Sequence, residues 1–429
     1  MKFFRRMVVT CAAALVLTSG AAADQGGSSP SASSGFPIPF WYSLEESTAH
    51  TLETMIQEFE STHPHLDIIP RNFPSSEAMY REMEQGEKPV FAIIEGNQLA
   101  RLDETTELTS VEEWMPREQF LFSWSVKHDV YGPLFQGCSV NERLMARPLF
   151  YSTTALIYNP ELLEKVGAKA APQTWTQVDE IADKIKEVEP AAWGYGFRTV
   201  QEFHATLSLM LMQQEQAEPE EPVLKLVERG QDLAQSVGLP DDVRSPSQLA
   251  MRTGTMAEYL EMKAAGVPVR VAGVPGPSAE HRRTEFKVWA LGMFPVESSD
   301  LYKAQEFAFW LTDFGQQRHW AENTPYLSAH VKVFDNPFYR QARSEDHNNL
   351  RVFVNLLARA DMAPARKDEK AEVMDMLPTV FPRLLRGEID SAAAFKLFAA
   401  RVTEPVEEAG PTSDSGAAGS MSGARMEGP

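Results

Sequence analysis

Three carboxylates, Glu45, Glu46 and Glu95, stand where the sequence pattern ends a strand or opens a helix. Carboxylates so placed can accept hydrogen bonds from the hydroxyls of a small polar solute. Two of them flanking a glycosidic bond could instead act as acid and base or nucleophile, so a secreted glycoside or phosphodiester hydrolase is the alternative reading. Nothing else supports covalent chemistry. No G-x-S-x-G, H-E-x-x-H or phosphate-loop motif occurs. His63-Pro64-His65 lacks further ligands at metal spacing, so neither a metal nor a cofactor is expected.

The elements that must position these groups are legible in the hydrophobic pattern. Ile38–Tyr42 reads as a strand. Ser43-Leu44-Glu45-Glu46 has the S-x-x-E spacing of a capping box, and Leu52, Met55, Ile56 and Phe59 follow at helical spacing. Leu66–Pro70 reads as a second strand, Ser76–Gln85 as a helix closed by Gly86, and Val90–Ile94 as a third strand stopping at Glu95. This βαβαβ order predicts a parallel sheet. A longer strand, Leu149–Tyr158, enters a helix through Asn159-Pro160, a favoured cap and first position, and Gly167 ends it. Thr174-Trp175-Thr176-Gln177 opens an amphipathic helix with Val178, Ile181, Ala182 and Ile185. Further helices are expected at 203–214, 255–264, 302–314 and 395–401.

Open parallel sheets hold ligands beyond the carboxyl ends of their strands, where helix N-termini offer free N–H groups. That rule selects Tyr42, Ser43 and Glu45 after the first strand, Glu95 and Asn97 after the third, and Ser152, Thr153 and Thr154 along the long strand. Strand alternation lets only one face of that last run, Ser152 in the preferred reading, point at a ligand. Ser43 reads first as a helix cap, and Glu95 equally as a ligand acceptor or a solvated loop residue.

The chain has 429 residues, 43% hydrophobic and 23% charged, which fits a globular protein of at least two lobes. Sixty Asp plus Glu against forty Lys plus Arg give a net charge of -20, which repels phosphate backbones and excludes a nucleic-acid partner. Residues 1–23 combine a basic head, an apolar run from Met7 to Leu17 and an Ala21-Ala22-Ala23 site, and so read as a cleaved export signal. Cys11 lies too early in the apolar run for a lipid anchor, and Cys138 is then the one mature cysteine, read as a buried apolar residue. Residues 24–35 read as a flexible leader, 215–222 as an acidic surface loop and 406–429 as a disordered tail.

The segments FWYSLEES, ARPLFYSTTALIYNPELLEKVGA, APQTWTQVDEIADKI and FAFWLTDFGQQRHWAENTPYLSAH, in this order behind an export signal, resemble the family 1 extracellular solute-binding proteins of ABC importers. That group includes maltodextrin-binding proteins, and the particular likeness is to bacterial periplasmic glycerol-3-phosphate-binding proteins. The resemblance implies a two-lobed α/β periplasmic-binding-protein fold, maltodextrin-binding-protein-like, with a hinge between lobes. One lobe would hold 36–145 and 285–325, the other 146–284 and 326–405. It implies a periplasmic monomer, not an enzyme, that captures a polyol phosphate, glycerophosphodiester or oligosaccharide and delivers it to a membrane ABC permease.

By the same resemblance Ser152 would contact the ligand, Trp175 would pack on its carbons or fix a helix entry, and Tyr326 would face the cleft at the second crossing. Arg252 and Thr253, in AMRTGT ahead of a helix, would suit a phosphate. Ser76 stands where the family's tyrosine is expected after the second strand. Trp289 and Trp193 are weaker aromatic candidates, and Arg366 is a guess for the family's C-terminal arginine. Phe286-Lys287-Val288 and Met256 depart from the small residues expected nearby, which puts glycerol-3-phosphate itself in doubt.

Overall fold

The computed structural model describes residues 35–115, 129–196 and 248–362, with isolated positions at 206, 209, 210, 213, 383, 388–390, 393 and 397. The export signal with Cys11, the leader up to residue 34, the acidic segment 215–222, most of the helix read at 203–214, Arg366, the helix at 395–401 and the tail lie outside the described residues.

The chain opens with β1 (Phe36–Tyr42), α1 (Glu46–Thr62), β2 (Leu66–Asn72), α2 (Ser76–Glu84), β3 (Phe91–Glu95) and α3 (Leu99–Thr105). Short helices α4 (Val111–Trp114) and α5 (Gly132–Gly137) precede a hairpin of β4 (Ser139–Val140) and β5 (Arg143–Leu144). Then come β6 (Ala146–Thr153), β7 (Ala155–Tyr158), α6 (Pro160–Lys165), α7 (Trp175–Val188), β8 (Met251–Gly254), α8 (Met256–Ala264), β9 (Arg270–Ala272) and β10 (Thr284–Met293). The described chain closes with α9 (Leu301–Thr312), α10 (Phe314–Asn323), β11 (Leu327–Ser328), α11 (Val331–Phe334), α12 (Pro337–Ala342), α13 (His347–Leu356) and β12 (Ala360–Met362).

Two main sheets organise these elements. Seven strands form one in the order β11-β6-β10-β3-β1-β2, with β12 beside β10; β8-β7-β9 form the other. The expected parallel pairing holds for β2-β1-β3. The sheet as a whole is mixed, because β10 runs antiparallel to both β3 and β6, and a pattern of local elements does not show which distant strand will fill a sheet position. The long strand read at 149–158 is also two strands. Ala146–Thr153 is hydrogen-bonded into the large sheet and Ala155–Tyr158 into the small one, so the chain passes between sheets at Thr154 and not at residue 146. Thr154 is pinned from both sides: its N–H donates to the Glu285 carbonyl at 3.2 Å and its carbonyl accepts from Thr284 Oγ1 at 2.6 Å.

The capping box read at Ser43–Glu46 does not form. Helix α1 begins at Glu46 with Glu45 in the extended capping position and no side-chain cap, which leaves Ser43 and Glu45 outside the helix. Asn72 does the local work instead: its Oδ1 accepts from Leu44 N–H and its Nδ2 donates to the Leu44 carbonyl, both at 3.0 Å. One amide thus satisfies both backbone groups of Leu44, as a neighbouring strand would. The caps at Asn159 and Thr174 form as read. Helix α8 carries a full capping box, Thr255 with Glu258, whose Oε2 accepts from Thr255 N–H and Oγ1 at 2.6 Å each.

Helix α9 covers the large sheet with an aromatic cluster. Phe307, fully buried, lies 5.2 Å from Phe40 on β1, 5.3 Å from Phe59 on α1 and 6.2 Å from Phe91 on β3, ring centre to ring centre. Such contacts bury large apolar area and tie α9 to β1, α1 and β3. Cys138 is fully buried, and burial alone pushes its thiol far above the ordinary range, so it packs as a small apolar side chain.

Candidate functional site

A cavity of about 540 Å³ opens beyond the ends of β1, β2 and β3, where the antiparallel β10 passes alongside. Ser43, Leu44 and Glu45 come from the β1–α1 loop, Asn72, Phe73, Pro74 and Ser76 from the β2–α2 loop, and Glu95 from the end of β3. Trp289 on β10 and Tyr326 just before β11 complete the lining. The site therefore sits beyond strand ends, as the parallel-sheet rule requires.

Its aromatic wall is layered. Phe150 on β6 stacks between Trp320 at 4.6 Å and Trp289 at 5.5 Å, and Tyr326 stands edge-on to Trp289 at 5.0 Å with 74° between their planes. Cross-strand register puts Trp289 opposite Phe150 and Lys287 opposite Ser152, so these four share one face of the sheet. The Tyr326 hydroxyl is pushed up to about 12, mainly by burial and further by the charges of Glu45, Glu258 and Glu95. It is therefore a protonated donor at neutral pH, and three carboxylates act on the same point.

Glu95 is held at two places. Ser76 Oγ donates to its Oε1 at 2.9 Å, and its backbone N–H donates to the Tyr80 hydroxyl at 3.0 Å. Ser76 is thus satisfied by Glu95 and orients it. Glu45 is exposed, with no hydrogen bond or ion pair from its carboxylate among the described residues.

Of the residues selected from sequence, Ser43, Glu45, Ser76, Glu95, Trp289 and Tyr326 meet in this cavity. Five others have packing or framework roles. Tyr42 is buried and donates to Glu53 Oε1 at 3.1 Å. Thr153 points to the opposite face from Ser152 and donates to the Phe353 carbonyl at 2.8 Å. Trp175 is buried, with its indole N–H on Gln213 Oε1 at 2.8 Å, and Thr253 joins Tyr195 and Thr206 in a buried hydroxyl cluster. Arg252 is fully buried with Glu261 Oε2 at 3.8 Å, so it does not present a guanidinium to the cavity. These residues stand at or near strand ends and helix starts as predicted, but each side chain is buried in packing away from the cavity lining. Asn97 lies in the 3₁₀ turn Gly96–Gln98 after β3 and is not among the cavity's lining residues. Ser152 is buried on the cavity's face of β6, one pleat beyond Phe150. Asn72, Phe73 and Glu258 were missed; the Thr255-x-x-Glu258 spacing was the available signal for the last.

The model of the bacterial extracellular solute-binding protein family matches residues 43–237. The sn-glycerol-3-phosphate-binding periplasmic protein UgpB of Pectobacterium atrosepticum is 24% identical over 170 residues, an alignment spanning 37% of this chain and 37% of that protein. Among solved structures, the cyclic α-maltosyl-1,6-maltose binding protein of Arthrobacter globiformis superposes with a TM-score of 0.65 at 16% identity, covering 86% of this chain and 98% of that one. UgpB of Mycobacterium tuberculosis, in complex with glycerophosphocholine, gives 0.65 at 15% identity over 86% and 98%. At such identities these structures speak for the two-lobed maltose-binding-protein-like fold alone. Over residues 43–237 this chain is similar to the bacterial extracellular solute-binding proteins.

Proposed function

We propose that this chain is the extracytoplasmic solute-binding component of an ABC importer, a non-catalytic receptor that closes its lobes on a small polyhydroxylated solute. The observation that carries this reading is the cavity at the strand ends. It offers aromatic faces to the apolar side of a sugar or polyol, and carboxylate and phenol groups to its hydroxyls. The hinge would be the two crossings at Thr154 and before β10. A free phosphate fits less well, because no Arg or Lys lines this cavity among the described residues. A paired-carboxylate hydrolase is the weaker reading, because Glu95 Oε1 already accepts from Ser76 Oγ at 2.9 Å.

Thermal denaturation of the purified chain against maltotriose, glycerol-3-phosphate and glycerophosphocholine tests the reading. A solute at 100 times its dissociation constant should stabilise the folded state by about 2.7 kcal/mol. Small-angle scattering with that solute should show a smaller radius of gyration. Stabilisation without compaction removes lobe closure from the mechanism, and turnover of an aryl glycoside or phosphodiester would favour the hydrolase.

Export to the periplasm belongs to the same proposal. The protein recovered from that compartment is expected to begin near Asp24, without lipid. Intact-mass analysis decides it, and a mass that keeps residues 1–23 or adds an acyl chain on Cys11 contradicts it.

A further inference from the structure

We propose that the solute carries a positively charged amine, seated between Glu45 and Glu95 and against the rings of Trp289 and Tyr326. The inference rests on the solute-binding reading above and names the chemistry of its ligand.

Charge balance in the cavity is one-sided. Glu45 and Glu95 line it, and no basic residue does so among the described ones. Glu258, on helix α8 beside the small sheet, is a third carboxylate close enough to act on Tyr326. Two cations stand outside the lining: Lys287 on the shared face, which is exposed and interacts with Glu285, and Arg71, which lies 4.2 Å from the Phe73 ring and is paired with Glu82. Arg252 is buried away from the opening. Ser76 occupies one oxygen of Glu95, while Glu45 has no partner among the described residues.

Lobe closure makes this imbalance costly. Bringing Glu258 toward Glu45 and Glu95 while expelling water raises the repulsion among three like charges and strips their hydration. A neutral sugar can donate hydroxyls to these carboxylates but leaves the net charge in place. An ammonium group neutralises it, and a quaternary or protonated amine also gains from the faces of Trp289 and Tyr326. The aromatic wall and the carboxylates are supplied by different strands and loops, and they converge on one cavity. A cationic solute therefore couples binding to closure through charge.

The experiment is calorimetry on the full mature chain with probe pairs matched in shape: choline against 3,3-dimethyl-1-butanol, and glucosamine below its amine pKa against glucose. Choline tests a quaternary ammonium and glucosamine a protonated amine. The charged member of at least one pair should bind about tenfold to hundredfold tighter, the range expected of a charge-assisted contact together with a cation–π contact. That ratio should fall in E45Q and again in E95Q, with the melting temperature of each unliganded variant confirming its fold. Raising ionic strength should weaken only the charged member. Equal or tighter binding of the neutral members, or a ratio unchanged in both variants, overturns the inference. If maltotriose binds and no charged probe is preferred, the solute-binding reading stands without it. If no probe of either class binds or raises the melting temperature, both fall.

Discussion

Replacing Tyr326 by alanine is expected to weaken solute binding by about tenfold to a hundredfold, and Trp289→Ala by a similar factor. Both rings line the cavity and lean on each other at 5.0 Å. Loss of a ring that a ligand covers forfeits roughly 1.5–3 kcal/mol of apolar burial, and each 1.4 kcal/mol is about tenfold in affinity. Because the two rings touch, the double variant should lose less than the sum of the single losses. Tyr326→Phe separates ring from hydroxyl. If the phenol donates to a ligand oxygen, its removal costs about 0.5–1.5 kcal/mol, or up to about 3 when that oxygen is charged. Ser152→Ala extends the test one pleat toward the crossing and should cost no more than one hydrogen bond. Calorimetry gives the affinities and denaturant melts the stabilities. Unchanged dissociation constants in Tyr326→Ala and Trp289→Ala together would place the binding site elsewhere.

Phe307→Ala should lower folding stability by about 3–5 kcal/mol, the cost of emptying a fully buried aromatic position. The ring touches partners on β1, α1 and β3 at once, so no single neighbour can move in to close the cavity. Urea denaturation should show a lower midpoint with an unchanged slope. Solute affinity of the folded fraction should fall less than in Tyr326→Ala, because Phe307 packs beneath the strands and not at their open ends. A loss of stability under about 1 kcal/mol would mean that α9 is not packed on the sheet as described.

The local elements were determined by the sequence alone. The period-3.6 spacing of Leu52, Met55, Ile56 and Phe59 makes α1, and Asn159-Pro160 starts α6, because these choices depend on neighbours a few residues away. The rule that ligands lie beyond strand ends then reached Glu45 and Glu95 without any knowledge of the fold. Tertiary structure decided everything that depends on pairing across long separations. Strand β10, more than a hundred residues downstream of β6, inserts antiparallel between β6 and β3 and delivers Trp289 beside Glu95. Thr154 divides one apolar run between two sheets because its flanks hydrogen-bond to different partners. Tyr42, Thr153, Trp175, Arg252 and Thr253 are polar or aromatic residues at or near element ends, as Glu45, Glu95 and Tyr326 are. Whether such a side chain faces core or cleft depends on which element packs on each face of its strand, and that is a property of the assembled sheet and not of the chain around it.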